Sequence, residues 1–531
     1  MTYDAILIGA GLNGLVTAAY LAKAGLRVLV LERRELLGGV AVTEEVFPGF
    51  RFDACLDDAG WLSPVIARDL DLARHGLEYL PGALSVATPL PDGRHLQLSP
   101  NVAASTESIR KLSPADAGRW PAFADRIARF AGFLEALYSA PAPRIPDPAP
   151  ADLLDLLRLG SRLRGLGKTE MVELLRFLPM SVAECLDDRF ESDALKGTVG
   201  AGGVTRIFQG PRAGGTAFVL LHHQVGRAAG AFRSNGMMRG GVGALANALA
   251  SAARLAGVEI RTGVEAVRIT VSGNRATGVV LGTGEEIGGR RVISGVDPRR
   301  TFLGLVDPYL LEPEFVRAVR NIRFRGAWAK VNLALGALPG FTAFPGDDPK
   351  LRGVISISPS LDYLERAYDD AKHGGVSSRP FLEVRIPSIA DPSLAPPGRH
   401  VMSVHMQYAP YHLRDGRWDD AMRNALGDRV IDLLAEYAPD IRSAIVHRQV
   451  LTPKDLEDGY GLTEGNAYHG ELALDQVLFM RPVAGWSRYR TPIDGLFLCG
   501  SGTHPGGGIA GGCGYHAARA IVKDVSGGRD R

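Results

Sequence analysis

Three glycines at positions 9, 11 and 14, in the run GAGLNG, and a glutamate at position 32 have the spacing of a diphosphate cradle followed by a ribose acceptor. Gly9 permits a tight turn, Gly11 lets a pyrophosphate lie against the backbone, and Gly14 allows a helix to sit close to the strand before it. The anion would rest on free N–H groups at the positive end of that helix. Glu32 closes the apolar run LRVLVLE, 23 residues after Gly9, where a carboxylate accepts hydrogen bonds from both ribose hydroxyls. A 2′-phosphate would be repelled there, although Arg33 and Arg34 leave NADP open.

The elements needed to position these residues are all in place. AILI reads as a buried strand, LVTAAYLAKAG as a crossover helix, and LRVLVLE as a second buried strand. Gly38 and Gly39 follow, a stretch of bare backbone that can pass beside a diphosphate or a ring system. The closing stretch DGLFLCGSGTHPGGGIAGGCGYHAARAIV mirrors the opening: a strand, glycines, then a helix beginning near Gly512. A second helix N-terminus has little use in a nicotinamide dehydrogenase. It suits FAD stretched between an N-terminal phosphate site and a distant C-terminal segment, with Gly511 at the turn into the helix.

Other reactive residues are sparse. His504, in the closing glycine loop, could donate to the cofactor or manage a proton during redox, or it could brace the loop. His222 and His223 are adjacent, with no HxxxH spacing or matched carboxylate, so no metal is expected. Neither a GxSxG elbow nor an HExxH pair occurs, which removes hydrolase and metalloprotease readings. The four cysteines, Cys55, Cys185, Cys499 and Cys513, form no CxxC pair and read as reduced, buried thiols. A net charge of +2 with dispersed basic residues argues against nucleic acid. No apolar run approaches the roughly 18 residues of a membrane span, and the first strand begins at Tyr3, so a cytoplasmic location is expected.

The organisation reads as an interleaved α/β protein. A Rossmann-like FAD-binding domain is expected from residues 1–76, 236–305 and 481–531, and a mixed-sheet substrate domain from 306–480. Residues 77–235 should add substrate-binding strands and an inserted helical cap, helical between about Ser105 and Asp193. Within the cap, DLLDLLRLGSRLRG places Leu153, Leu156, Leu157 and Leu163 near one face and Arg158 and Arg162 on another. Packing of those leucines on a core is expected, with peripheral membrane contact as the alternative.

Together, GAGLNGLVTAAYLAKAG with Glu32, the Gly38-Gly39 pair, RGGVGALANAL and CGSGTHPGGG resemble the FAD-containing amine oxidase and phytoene desaturase superfamily, nearly from end to end. NAYHGELALDQVLFMRP and RFDACLDDAG are most similar to the branch holding the cyanobacterial-type β-carotene ketolase and pyridine nucleotide-disulfide oxidoreductase domain-containing protein two. The resemblance implies a flavoprotein fold of the GR2 type. It also implies FAD contacts at Gly9, Gly11, Gly14, Glu32, Gly38, Gly39, Gly500 and Gly502, with the backbone of Val267 at the adenine. Val40 and Ser501 depart from the family pattern, where Arg and Asp are common; a hydrogen bond from Ser501 could substitute for the acid. His469 and Asp475 fall on the substrate side by the same likeness, each as a general base or a structural partner, and Arg481 is expected to anchor its segment.

The function these features imply is hydride exchange between flavin N5 and a carbon of a hydrophobic substrate. A carotenoid or similar polyene suits a cap rich in Leu, Ala and Phe without an obvious charged recognition cluster. A flavin amine oxidase and a flavin-binding scaffold with little turnover are the alternatives.

Overall fold

The computed structural model describes residues 2–81, 85–144, 150–232, 236–344 and 349–527. Five strands form an all-parallel sheet in the order Leu496–Leu498, Val292–Ser294, Ala5–Ile8, Val28–Leu31, Glu259–Arg261. They come from three separated stretches of chain, which is how the two termini reach one sheet. AILI and VLVL are buried throughout, as strands covered on both faces must be. Alternate residues serve different layers. Ala5, Leu7, Val28 and Val30 pack with the helices Leu12–Lys23, Gly243–Leu255 and Gly512–Val525. Ile6, Ile8, Leu29 and Leu31 pack instead with Ile269, Val279, Phe302 and Phe324 on the opposite face.

Close backbone approach explains two glycines of this layer. A Cβ at Gly14 would lie 2.3 Å from the Gly9 carbonyl oxygen, and one at Gly514 would lie 2.1 Å from that of Asn13. Gly14 therefore lets the first helix close onto the turn that precedes it, and Gly514 lets the last helix touch the backbone of the first.

A second, seven-stranded sheet runs Ile445–Leu451, Trp328–Leu335, His400–Gln407, Phe381–Arg385, Val354–Ile357, Val86–Pro89, His95–Leu98, with a parallel pairing between 354–357 and 86–89 and antiparallel pairings elsewhere. One face is apolar, with Val331, Leu333, Leu382, Val384, Met402 and Val404 in a single core. The other face alternates with it and is polar, yet buried: Lys330, Asn332, Glu383, Ser403, His405 and Gln407 are all shielded from solvent. It faces the interior of the protein, between the sheet and the segments carrying residues 54–58 and 206–207.

The cap comprises helices from Val102–Arg110 to Thr216–His222, around a core that includes Trp120, Phe123, Phe130, Phe177 and Phe190. Part of the proline-rich stretch, 145–149, lies outside the described residues. The helix Pro150–Gly165 packs through Leu159 and Leu163, while Leu153 and Leu157 are 51% and 69% exposed. The expectation that Leu153 and Leu157 join a core is therefore corrected, since the buried face is rotated toward Leu159, Leu163 and Leu166. The helix Asp420–Ala435 stops short of Pro439 because Tyr437 and Ala438 turn inward to the sheet's apolar core.

Candidate active site

A cavity of about 470 Å³ runs between the two sheets. At one end its wall is largely backbone. Gly9, Gly11 and Gly14 line it with Glu32, Arg33, Gly38, Gly39 and Val267. Gly11 caps the helix Leu12–Lys23 without any side-chain bond to the free N–H groups, and a Cβ there would meet nothing within 4 Å. The positive helix end is thus open to the cavity. Gly38 and Gly39 take φ of +113° and +63°, and a Cβ on Gly39 would come 3.3 Å from the Gly11 Cα. The Glu32 carboxylate is buried and accepts N–H bonds from Ala10 (2.8 Å) and Arg34 (3.0 Å), which fix it at the end of its strand. Arg33 donates to the carbonyls of Asp458 and Gly459, at 2.9 and 3.0 Å.

The termini clasp one another beside this cradle. Asn13 donates to the Ser501 hydroxyl at 3.2 Å and accepts from the Gly514 N–H at 3.3 Å. Ser501 and Gly511 line the cavity, whereas Gly500 and Gly502 do not. A Cβ on Gly500 would lie 2.5 Å from the Gly295 carbonyl oxygen, and one on Gly502 would lie 2.5 Å from Pro298 Cδ. Those two glycines let the closing loop pack on residues 295–298.

The three residues expected to do proton chemistry are not brought together. His504 is fully buried and outside the cavity wall; its Nε2 bonds the Ala140 carbonyl at 3.0 Å, and burial pushes its pKa down to about 3. That geometry braces the loop against the cap. Asp475 is an exposed partner of Arg323 at 2.5 Å and also lies outside the wall, the placement of a structural partner. His469 does line the cavity, at φ +55°, with its pKa lowered mainly by burial. Arg481 is buried and donates to the carbonyls of Tyr468, Gly470, Gln476 and Ser501, which anchors its segment as expected.

At the far end the wall is made of side chains. His222 bonds Tyr138 Oη at 2.8 Å and the Gly507 carbonyl at 2.9 Å. His223 bonds the Gly202 carbonyl at 2.8 Å and Tyr468 Oη at 2.9 Å. Each carbonyl requires an N–H, so in both rings the remaining nitrogen is an acceptor: Tyr138 Oη donates to His222, while the single proton of the Tyr468 hydroxyl is shared between His223 and the Thr205 carbonyl at 3.3 Å. Burial lowers the pKa to about 3 for His222 and about 4 for His223, and both rings are neutral. No group of three or more His, Cys, Asp or Glu among the described residues has the arrangement to hold a metal ion.

A charged cluster surrounds these neutral rings. Arg227 approaches Asp58 at 3.5 Å, Arg385 contacts Glu383 at 3.1 Å, and Arg206 donates its backbone N–H to Gln407 at 2.8 Å. Sequence reasoning missed these residues and Tyr468. The available signal was a Glu and an Arg inside FLEVR, a segment otherwise apolar enough for a buried strand. Beyond the cluster lies an outer chamber of about 310 Å³ lined by Leu62, Pro64, Tyr79, Met237 and Met238. The two chambers share the walls Asp58–Trp61, Val225, Arg227 and Arg385.

A parallel nucleotide-type sheet joined to a mixed sheet across a glycine-floored cavity defines an FAD-binding α/β flavoprotein. Residues 12–522 match the family described as flavin containing amine oxidoreductase, and the chain belongs to it. It is 39% identical over 544 residues to pyridine nucleotide-disulfide oxidoreductase domain-containing protein 2 of Rattus norvegicus, covering 98% of this chain and 94% of the relative. It is 30% identical over 548 residues to a limonene dehydrogenase component of Castellaniella defragrans, covering 98% and 95%. The fold is shared with putrescine oxidase bound to putrescine, with a TM-score of 0.61 at 15% identity over 99% of both chains. The protein is a flavin-dependent oxidoreductase whose cofactor is FAD. The open Gly11 and the uncapped helix end fit its diphosphate.

Proposed function

We propose that the enzyme exchanges hydride with a carbon of a largely hydrophobic small molecule, of the polyene or terpenoid kind. The observation carrying this reading is the two-chamber cavity, which leads from an outer chamber that offers Leu62, Tyr79, Met237 and Met238 as apolar wall to the closing glycines at 507–511. Gly9, Gly11, Gly14, Gly38 and Gly39 would hold the diphosphate, Glu32 and Arg33 would flank the ribose, and Val267 would meet the adenine. Ser501 and Gly511 would face the flavin end. Bound FAD supplies the hydride acceptor or donor. The chain's own contribution is to orient the substrate and exclude water, and the neutral His222 and His223, each held by two hydrogen bonds, are built for positioning rather than for proton transfer. The limonene dehydrogenase relative supports an apolar substrate.

The test is an anaerobic screen of the FAD-loaded protein. Bleaching of the flavin band by a polyene or terpene, with none by primary amines, is expected. Bleaching by amines alone would establish the amine oxidase alternative, and a yellow protein that nothing reduces would establish the scaffold.

The exposed Leu153, Leu154 and Leu157 beside Arg158 and Arg162 support peripheral lipid contact as a delivery route for such a substrate. Co-sedimentation with anionic vesicles, lost in Leu157→Glu, is the expected result.

A further inference from the structure

The neck between the chambers has a composition that a pure hydrocarbon does not need. Three guanidinium groups, Arg206, Arg227 and Arg385, stand in the cavity wall against two carboxylates, Asp58 and Glu383. The next charge on the sheet face, Lys330, is matched by Asp57 at 2.5 Å. Asp53, in the outer chamber, is already engaged by the Thr43 hydroxyl at 2.6 Å and the Val242 N–H at 2.8 Å. Arg352 lies at the exposed side of that chamber and adds another cation. Positive charge therefore exceeds negative charge along the path.

The arginines are also incompletely bonded. Arg206 Nε, Arg227 Nη1 and Arg385 Nε are buried nitrogens with no hydrogen-bond partner among the described residues. Arg206 makes no ion pair with any described carboxylate, and it is held at φ +61° by its backbone bond to Gln407. Arg227 and Arg385 each spend one nitrogen on a carboxylate and keep another unpaired. Buried N–H donors of cations are costly to leave unmatched, and the chemistry that matches several forked donors at once is a planar oxyanion.

We propose that this neck is an anion-binding subsite, and that the substrate is amphipathic: an apolar body with a carboxylate or equivalent oxyanion docked on Arg206, Arg227 and Arg385. The inference rests on the reading of this cavity as the place where FAD and substrate meet, and it narrows the substrate from any apolar molecule to a hydrophobic acid. It also separates the protein from an amine oxidase, because a cationic substrate would have to pass the same three guanidinium groups.

The test compares three eight-carbon probes on the FAD-loaded protein: octanoate, 1-octanol and octylamine. Binding is read by the flavin difference spectrum and by tryptophan fluorescence, to which Trp61 in the shared wall contributes. Octanoate is expected to bind at least about tenfold more tightly than 1-octanol, with octylamine weakest. Arg206→Gln, which breaks no ion pair, should weaken octanoate about tenfold and leave 1-octanol and the melting temperature unchanged, with partial recovery in Arg206→Lys. Equal binding of octanoate and 1-octanol, preference for octylamine, or an Arg206→Gln protein that binds octanoate normally would each overturn the proposal. The underlying reading fails differently: a protein that takes up no FAD stays colourless, while its tryptophan signal still reports whether octanoate is preferred.

Discussion

The two ends of the cavity are built from different materials. The nucleotide end is backbone, contributed mainly by glycines between Gly9 and Gly39 and locked by the contact of Asn13 with Ser501. The end proposed for the substrate is side chain, drawn from positions as distant as Asp58, Arg206, His222, Arg385 and Tyr468. Backbone donors have fixed geometry and recognise a diphosphate that does not vary. Side chains can be exchanged one at a time, so a family can keep its cofactor while its substrates diverge.

Exchanging two glycines of the nucleotide end breaks this contrast most sharply. Gly11→Val should leave the fold intact, because the residue has φ −66° and a Cβ there meets nothing within 4 Å. The added side chain would fill the proposed diphosphate position, and FAD affinity should fall by about a hundredfold or more. Gly14→Val should act on the fold instead. Its Cβ would sit 2.3 Å from the Gly9 carbonyl oxygen, so stability should drop by about 1–3 kcal/mol or the protein should fail to accumulate. Thermal unfolding of the apoproteins separates the two outcomes. A Gly11→Val protein that binds FAD normally would refute the backbone account of this end.

The buried histidines of the substrate end, joined by His504 and His516 of the closing segment, carry a pH signature that the glycine cradle lacks. Burial holds the pKa of His222, His405 and His504 at about 3, and that of His223 and His516 at about 4, against the ordinary 6.5. Below pH 6.5 the unfolded chain binds protons that the folded chain refuses, so these histidines withdraw stability as pH falls. Each removes about 1.4 kcal/mol per pH unit at most while that difference lasts. Asp53 works in the opposite sense. Burial raises its pKa from 3.8 to about 6, so between those values the folded state binds the extra proton and gains stability on acidification. Burial raises the Glu471 carboxyl in the same sense as Asp53, while His469 joins the lowered imidazoles. Two carboxyls do not offset six imidazoles, and the urea midpoint should decline steadily from pH 7 to pH 5. A flat profile would show that the histidines are hydrated and charged.

The same contrast sets what could be read from the chain alone. A glycine spacing encodes a backbone path directly, and the parallel strands AILI, VLVL and LFL are buried on both faces, so pattern and fold agree. The mixed sheet breaks that agreement. WAKVNLAL and HVMSVHMQ alternate polar with apolar residues, which ordinarily marks a solvated face, but here the polar face is buried beneath the cavity. Lys330, Glu383 and His405 are therefore invisible as site residues without the tertiary structure. His504 and Asp475 are ambiguous in the sequence for the reverse reason. Their positions in polar, glycine-rich loops suggest reactivity, while the ring and the carboxylate are taken up by Ala140 and Arg323.

The smallest expected effects are consequently the most discriminating. His504→Gln retains an amide N–H that can still reach the Ala140 carbonyl, so it should cost about 1 kcal/mol or less and preserve turnover. Asp475→Asn should do less still. Its side chain is 59% exposed and its partner Arg323 37% exposed, and an ion pair of that kind contributes about 0–1 kcal/mol once solvent and salt screen it. Neither residue touches the cavity wall, so reduction of the bound flavin by an accepted substrate should keep its rate within about twofold for both variants. A rate that collapses in either one at unchanged melting temperature would place proton chemistry outside the wall and erase the distinction between residues that brace this site and residues that face it.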